Sequence, residues 1–202
     1  MARNNTLVER RAEIINATIR VLARDGIAET TTRKIAAEAG VNQATLRYYF
    51  GSKDDLLFAV LQEMMQLTAQ IVRESTLAKR SISDMIVESI KAFWSHVESE
   101  PELQVIQYEL TLYALRNPES AWLAKQQYDG YAAVVEDLLR KNFEESGAPC
   151  AIPFAELARF IIGGLDGLIL QFISDRNTER ARRDLGHLIT AVIALVEGRS
   201  ST

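Results

Sequence analysis

Apolar residues recur along this chain at three- and four-residue spacing, the period of helices packed along one stripe. Near the N-terminus Ile14, Ile15, Thr18, Val21 and Leu22 share a face, which predicts a first helix from about Leu7 to Asp25, ended by Gly26. Thr31 is placed to cap a short second helix, Thr32 to Ala39, with Gly40 as its stop. Asn42 caps a short third helix through about Tyr49, and Ser52 caps a fourth that runs to about Lys79. Breaks at Ser81–Ser83, Ser99–Pro101, Asn117–Pro118 and Gly147–Pro153 leave helices near 83–98, 102–115, 118–145, 153–174 and 177–197. No segment has the two-residue period of a strand. The expected fold class is therefore all-α, with about nine helices.

At 202 residues, with 48% hydrophobic and 25% charged, the chain has the composition of an ordinary globular protein. Its most apolar run, Phe160 to Leu170, is interrupted by Asp166, so no membrane partner is expected. The N-terminus lacks an apolar core with a small-residue cleavage site, and the single cysteine, Cys150, fits a reducing compartment. A cytoplasmic location is expected. The net charge of −4 is not that of a typical DNA binder, but it is unevenly spread. Residues 1–60 hold nine Lys/Arg against seven acids, leaving the excess negative charge in the remainder. That favours an approach to phosphates through the N-terminal end.

The stretch from Gly26 to Lys53 carries the most chemistry. Two short helices flank Gly40-Val41-Asn42, a turn tight enough to hold them at a steep angle. Leu46 and Phe50, four apart, should point inward together. Gln43, Ala44, Arg47 and Tyr48 are then left outside, with Thr45 on the flank. Gln can pair with adenine and Arg with guanine, and the Ala and Thr methyls can meet a thymine methyl. Tyr48, Tyr49, Thr31 and Lys53 are placed to hold phosphates, Arg33 can serve either purpose, and Asn42 at the helix start is also a candidate DNA-binding residue.

This segment resembles the N-terminal domain of the TetR family of transcriptional regulators. It matches the family pattern at Gly26, Thr30, Ile35, Ala36, Ala39, Gly40, Val41, Asn42, Thr45, Leu46, Tyr49, Phe50, Ser52 and Lys53. Three positions depart from it. Ala44 stands where glycine is usual, Arg47 where tyrosine is usual, and Lys34 where an acid is usual. The resemblance implies a three-helix DNA-binding domain over residues 1–55, followed by a helical ligand-binding and dimerisation bundle over 56–202. It implies a homodimer on a pseudo-palindromic double-stranded operator, acting as a repressor released by a small-molecule inducer. The alternative is a DNA-binding regulator or architectural protein with no inducer. The run Asp166–Leu168 is similar to the choline-sensing, BetI-like branch of the family.

In the body, amphipathic and aromatic residues are dense. Met64, Phe93, Trp94, Tyr108, Tyr113, Trp122 and Tyr128 are candidate pocket residues, and the carboxylates of Glu109 and Asp166 among aromatic rings suit a lipophilic or cationic inducer. The helix from Phe154 to Ile173 is apolar nearly all round and should be buried on several sides. Gly163, Gly164 and Gly167, with Leu185, Leu188 and Val192 of the last helix, are the candidate dimer interface. His96 and His187 lack partners at metal-ligand spacing, so neither a metal nor a cofactor is expected. No nucleophile elbow, phosphate loop or metallohydrolase motif is present, so an enzyme is not expected.

Overall fold

The computed structural model describes residues 2–75 and 81–199. Among these residues are nine α-helices and no strand. They are α1 (Ala2–Glu29), α2 (Thr32–Glu38), α3 (Gln43–Phe50), α4 (Lys53–Ser75), α5 (Ile82–Ser99), α6 (Pro101–Arg116), α7 (Ala121–Ser146), α8 (Phe154–Asp175) and α9 (Thr178–Val196). The expected end of the fourth helix at Lys79 lies outside the described residues. The expected helix from 118 is split: Pro118–Ser120 form a separate 3-10 turn, with Ser120 N donating to Asn117 O at 2.9 Å, before α7 starts at Ala121.

The chain divides into two compact units, residues 1–66 with 105–127, and residues 67–104 with 128–202. In the first unit α1 buries Ile14, Ile15, Ala17, Val21 and Leu22. Thr18 joins them because its hydroxyl donates to Ile14 O at 2.8 Å, leaving no unpaired donor. Gly26 breaks the helix, with φ 71 and ψ 169, a left-handed conformation that favours glycine. One further turn follows, closed by Thr30, whose hydroxyl donates to Gly26 O at 2.6 Å. α2 packs on both α1 and α3, burying Ile35 and Ala36, while α3 buries Leu46 and Phe50.

In the second unit α9 packs on α5 and on α8. Trp94 stacks at a tilt on Phe172, centroids 5.7 Å apart. Its indole N–H donates to Glu98 at 2.9 Å, and Arg182 holds the same carboxylate from α9. α8 departs from expectation. Its buried residues, Leu157, Ala158, Ile161, Leu165, Ile169 and Phe172, follow one helical face only. Phe160 and Leu170 are 42% and 49% exposed, and Gly163 and Gly167 are exposed beside them. By length and composition alone α8 is apolar enough to cross a membrane, at a mean hydropathy of 1.5.

The expected dimer residues therefore separate into two groups. A Cβ on Gly164 would collide with Leu188 of the same chain, and Leu185 and Val192 are buried within the chain. Gly164 and Leu188 meet where α8 packs on α9. Gly163 and Gly167, by contrast, have open space where a Cβ would stand. A helix apolar all round buries only the side its own neighbours reach, so sequence alone could not separate the two groups.

Candidate nucleic-acid interface

Local chemistry fixes the helix-turn-helix. Thr31 accepts from Lys34 N at 3.2 Å and Asn42 from Thr45 N at 2.8 Å, so both side chains act as N-caps. Gly40 turns the corner at φ 63. With Leu46 and Phe50 buried, helical periodicity turns Gln43, Ala44, Arg47 and Tyr48 outward, and Tyr48 is 77% exposed. Thr45 and Tyr49 are half-buried on the flanks, Arg33 is exposed on α2, and Gln43 accepts a hydrogen bond from Thr32 at 3.3 Å.

A charge network locks α2 to α1. Glu38 accepts from Arg20 at 2.8 Å and from Arg24 at 3.0 Å, while Asp25 pairs with Arg24 at 2.8 Å and Lys34 at 3.0 Å. The Arg24 hydrogen bond, helped by Lys34, holds the Asp25 carboxyl below its ordinary range. Arg20, followed by Arg24, does the same for Glu38. Lys34, one of the three residues that depart from the family pattern, thus has an acid of its own chain.

The start of α4 is held from inside the unit. Lys53 Nζ donates to Thr30 O at 2.7 Å and lies 5.6 Å from the centre of the Tyr113 ring. Burial pulls its pKa down from the usual lysine value. Asp54 accepts from the Tyr113 hydroxyl at 3.0 Å and the Ser120 hydroxyl at 2.5 Å. Glu109, one turn before Tyr113 on α6, accepts from Ile27 N at 2.9 Å. Partners 59 to 82 residues apart leave no mark on local periodicity, so Asp54 and Ser120 were not identifiable as site residues from the sequence.

The profile of the family described as bacterial regulatory proteins, tetR family, matches residues 14–60. The profile of the tetracyclin repressor-like C-terminal domain matches residues 80–195, more than half of the chain. The chain belongs to the TetR family. It is a helix-turn-helix transcriptional regulator, in a family of regulators rather than enzymes. It is 28% identical over 187 residues to the nicotine-responsive transcriptional repressor HdnoR of Paenarthrobacter nicotinovorans, covering 92% of this chain and 95% of that one. It is 30% identical to the transcriptional regulator BetI of Burkholderia thailandensis over 64% of this chain and 79% of the relative. Among solved structures, a TetR-family regulator from Syntrophomonas wolfei superposes with a TM-score of 0.75 at 16% identity, over 96% of this chain and 98% of that one. FadR of Bacillus subtilis, in complex with stearoyl-CoA, has a TM-score of 0.69 at 22% identity, over 93% and 98%.

The nine pocket candidates are divided between the two units. Met64, Tyr108, Glu109, Tyr113 and Trp122 fall in the first unit, and Phe93, Trp94, Tyr128 and Asp166 in the second. Glu109 and Tyr113 are engaged as described above, and Trp122 meets Phe58 edge-on at 5.2 Å. Trp94 is core, 2% exposed. In the second unit Tyr128 faces Tyr131 at 6.4 Å and hydrogen-bonds Asp166. Burial, and then the Asp166 charge, push the Tyr128 hydroxyl up to about 12. A groove of about 250 Å³ in the same unit is lined by Ala69, Val72, Arg73, Ala133, Val134, Asp137, Leu138 and Lys141, none of them a pocket candidate.

Proposed function

We propose that the chain is a cytoplasmic repressor that binds a pseudo-palindromic operator as a homodimer and releases it when a small molecule enters the body. The outward face of α3 carries this reading. Gln43, Ala44, Thr45 and Arg47 would meet base edges, with Tyr48 at the rim and Thr31, Arg33, Asn42 and Tyr49 along the backbone. One short helix spans few base pairs, so two copies would read half-sites about 34–36 Å apart. The exposed stripe of Phe160, Gly163, Gly167 and Leu170 supports pairing through α8. Functionally, residues 1–55 would read DNA and 56–202 would bind the ligand and the second copy.

For the inducer, the pairing of Tyr128 with Asp166 beside Tyr131 supports a lipophilic cation, as does the likeness to a repressor described as nicotine-responsive. The test begins by selecting duplexes from a randomised library with the wild-type protein. Binding to the selected duplex is then titrated with nicotine and with choline. Release by either amine, lost in Asp166→Asn, is expected. No enrichment of any sequence would overturn the DNA reading. Release that is indifferent to Asp166→Asn would overturn the assigned ligand site.

A further inference from the structure

We propose that Tyr113 and Ser120 are positioning residues for operator recognition, setting the reading angle of α3 through Asp54 without touching DNA. The inference rests on the reading that α3 binds DNA. Only Gly51 and Ser52 separate α3 from α4, and that corner is stiff. Gly51 N donates to Arg47 O at 2.9 Å and Ser52 N to Phe50 O at 2.9 Å, while Ser52 and Asp55 form a capping pair, Asp55 N donating to Ser52 Oγ at 3.0 Å. A displacement at the second residue of α4 is therefore passed to the recognition helix rather than absorbed between them.

That second residue is Asp54, and its carboxylate is held by two hydroxyls. Tyr113 donates to one oxygen at 3.0 Å and Ser120 to the other at 2.5 Å. Both hydroxyls sit on a firm base. Ser120 is 3% exposed on the 3-10 turn, and Tyr113 packs against the buried cluster of Ala114, Leu123 and Ala124. Hydrogen bonds to a charged acceptor in such surroundings are among the stronger ones. The Tyr113 ring also carries Lys53 on its face, and Lys53 reaches Thr30 O. With Glu109 on Ile27 N, one face of α6 thus grips the chain just before α2 and just after α3.

The test uses the duplex that the full-length wild-type protein selects from a randomised library, beside a random-sequence duplex. Tyr113→Phe keeps the ring under Lys53 and loses only the hydroxyl; Ser120→Ala removes the other donor. In the double variant, affinity for the selected duplex is expected to fall about tenfold, while random-sequence binding stays within about twofold and the salt slope is unchanged. Adding Asp54→Asn to the double variant is expected to cost little more, because the three groups act as one unit. A purely structural role would lower the melting temperature and leave the ratio of selected to random binding intact. That ratio unchanged, or a salt slope reduced by about one ion, overturns the proposal. Should the double variant lose its helical circular dichroism, Tyr113→Phe alone decides by the same ratio. A wild-type protein that selects no sequence sinks the DNA reading itself, a different and distinguishable failure.

Discussion

Lys53 Nζ donates to the Thr30 carbonyl oxygen at 2.7 Å, so a cation that the sequence pattern aims at a phosphate is turned into the protein. Lys53→Met should therefore weaken operator binding by loosening the corner, with the dependence of affinity on salt unchanged. A phosphate contact would instead lower the salt slope by about one ion. Binding isotherms at several salt concentrations separate the two.

Arg47 is exposed on the outward face of α3. Arg47→Ala is expected to relax preference at one base position, with roughly 1–3 kcal/mol of discrimination lost there. Selection from a randomised library by the variant checks this. An unaltered preferred sequence would remove Arg47 from the reading face.

The network of Arg20, Arg24, Lys34, Asp25 and Glu38 makes the α1–α2 packing sensitive to acid. Both carboxyls have folded values below their ordinary 3.8 and 4.5, so their stabilisation is full above that range. It is lost as the pH falls through the depressed values, because protonation then favours the unfolded chain. Glu38→Gln should lower the melting temperature at pH 7, and the gap should close as the pH is taken below the carboxylate range. Added salt should shrink it as well, since these pairs are open to solvent.

Gly164 and Gly167 lie three residues apart on α8 with opposite surroundings. Gly164→Ala forces the Leu188 side chain to move, which offsets the gain of about 1 kcal/mol that alanine brings to a helix, so it should be the less stable of the two alanine variants in urea unfolding. Gly167 has open space at that position, so Gly167→Ala should not destabilise the chain by overpacking. Phe160→Glu, on the exposed stripe, is expected to shift the protein to monomers in sedimentation without loss of helical signal. A dimer that survives Phe160→Glu would place the pairing surface elsewhere.

Much of this was legible because the signals are local. Thr31 and Asn42 cap the helices that their positions predict, and Leu46 and Phe50 are buried together as their four-residue spacing requires. α7 starts three residues later than the sequence predicts because Pro118 suits both a 3-10 turn and the first turn of an α-helix. Leu185 and Val192, expected at the dimer interface, are buried within the chain, since an apolar stripe does not say whether its partner is the same chain or a second one. The inward turn of Lys53 and the engagement of Glu109 depend on residues far along the chain, which no short window contains.

Asp54 offers Oδ1 to Tyr113 and Oδ2 to Ser120. A carboxylate held at one oxygen can swivel about that bond, whereas one held at both resists twisting. The grip is torsional: it opposes rotation of the first turn of α4 about its own axis as well as displacement along it. Any signal that loosens the DNA-reading helix by rotation must therefore carry the tyrosine and the serine with it, or break two bonds at once.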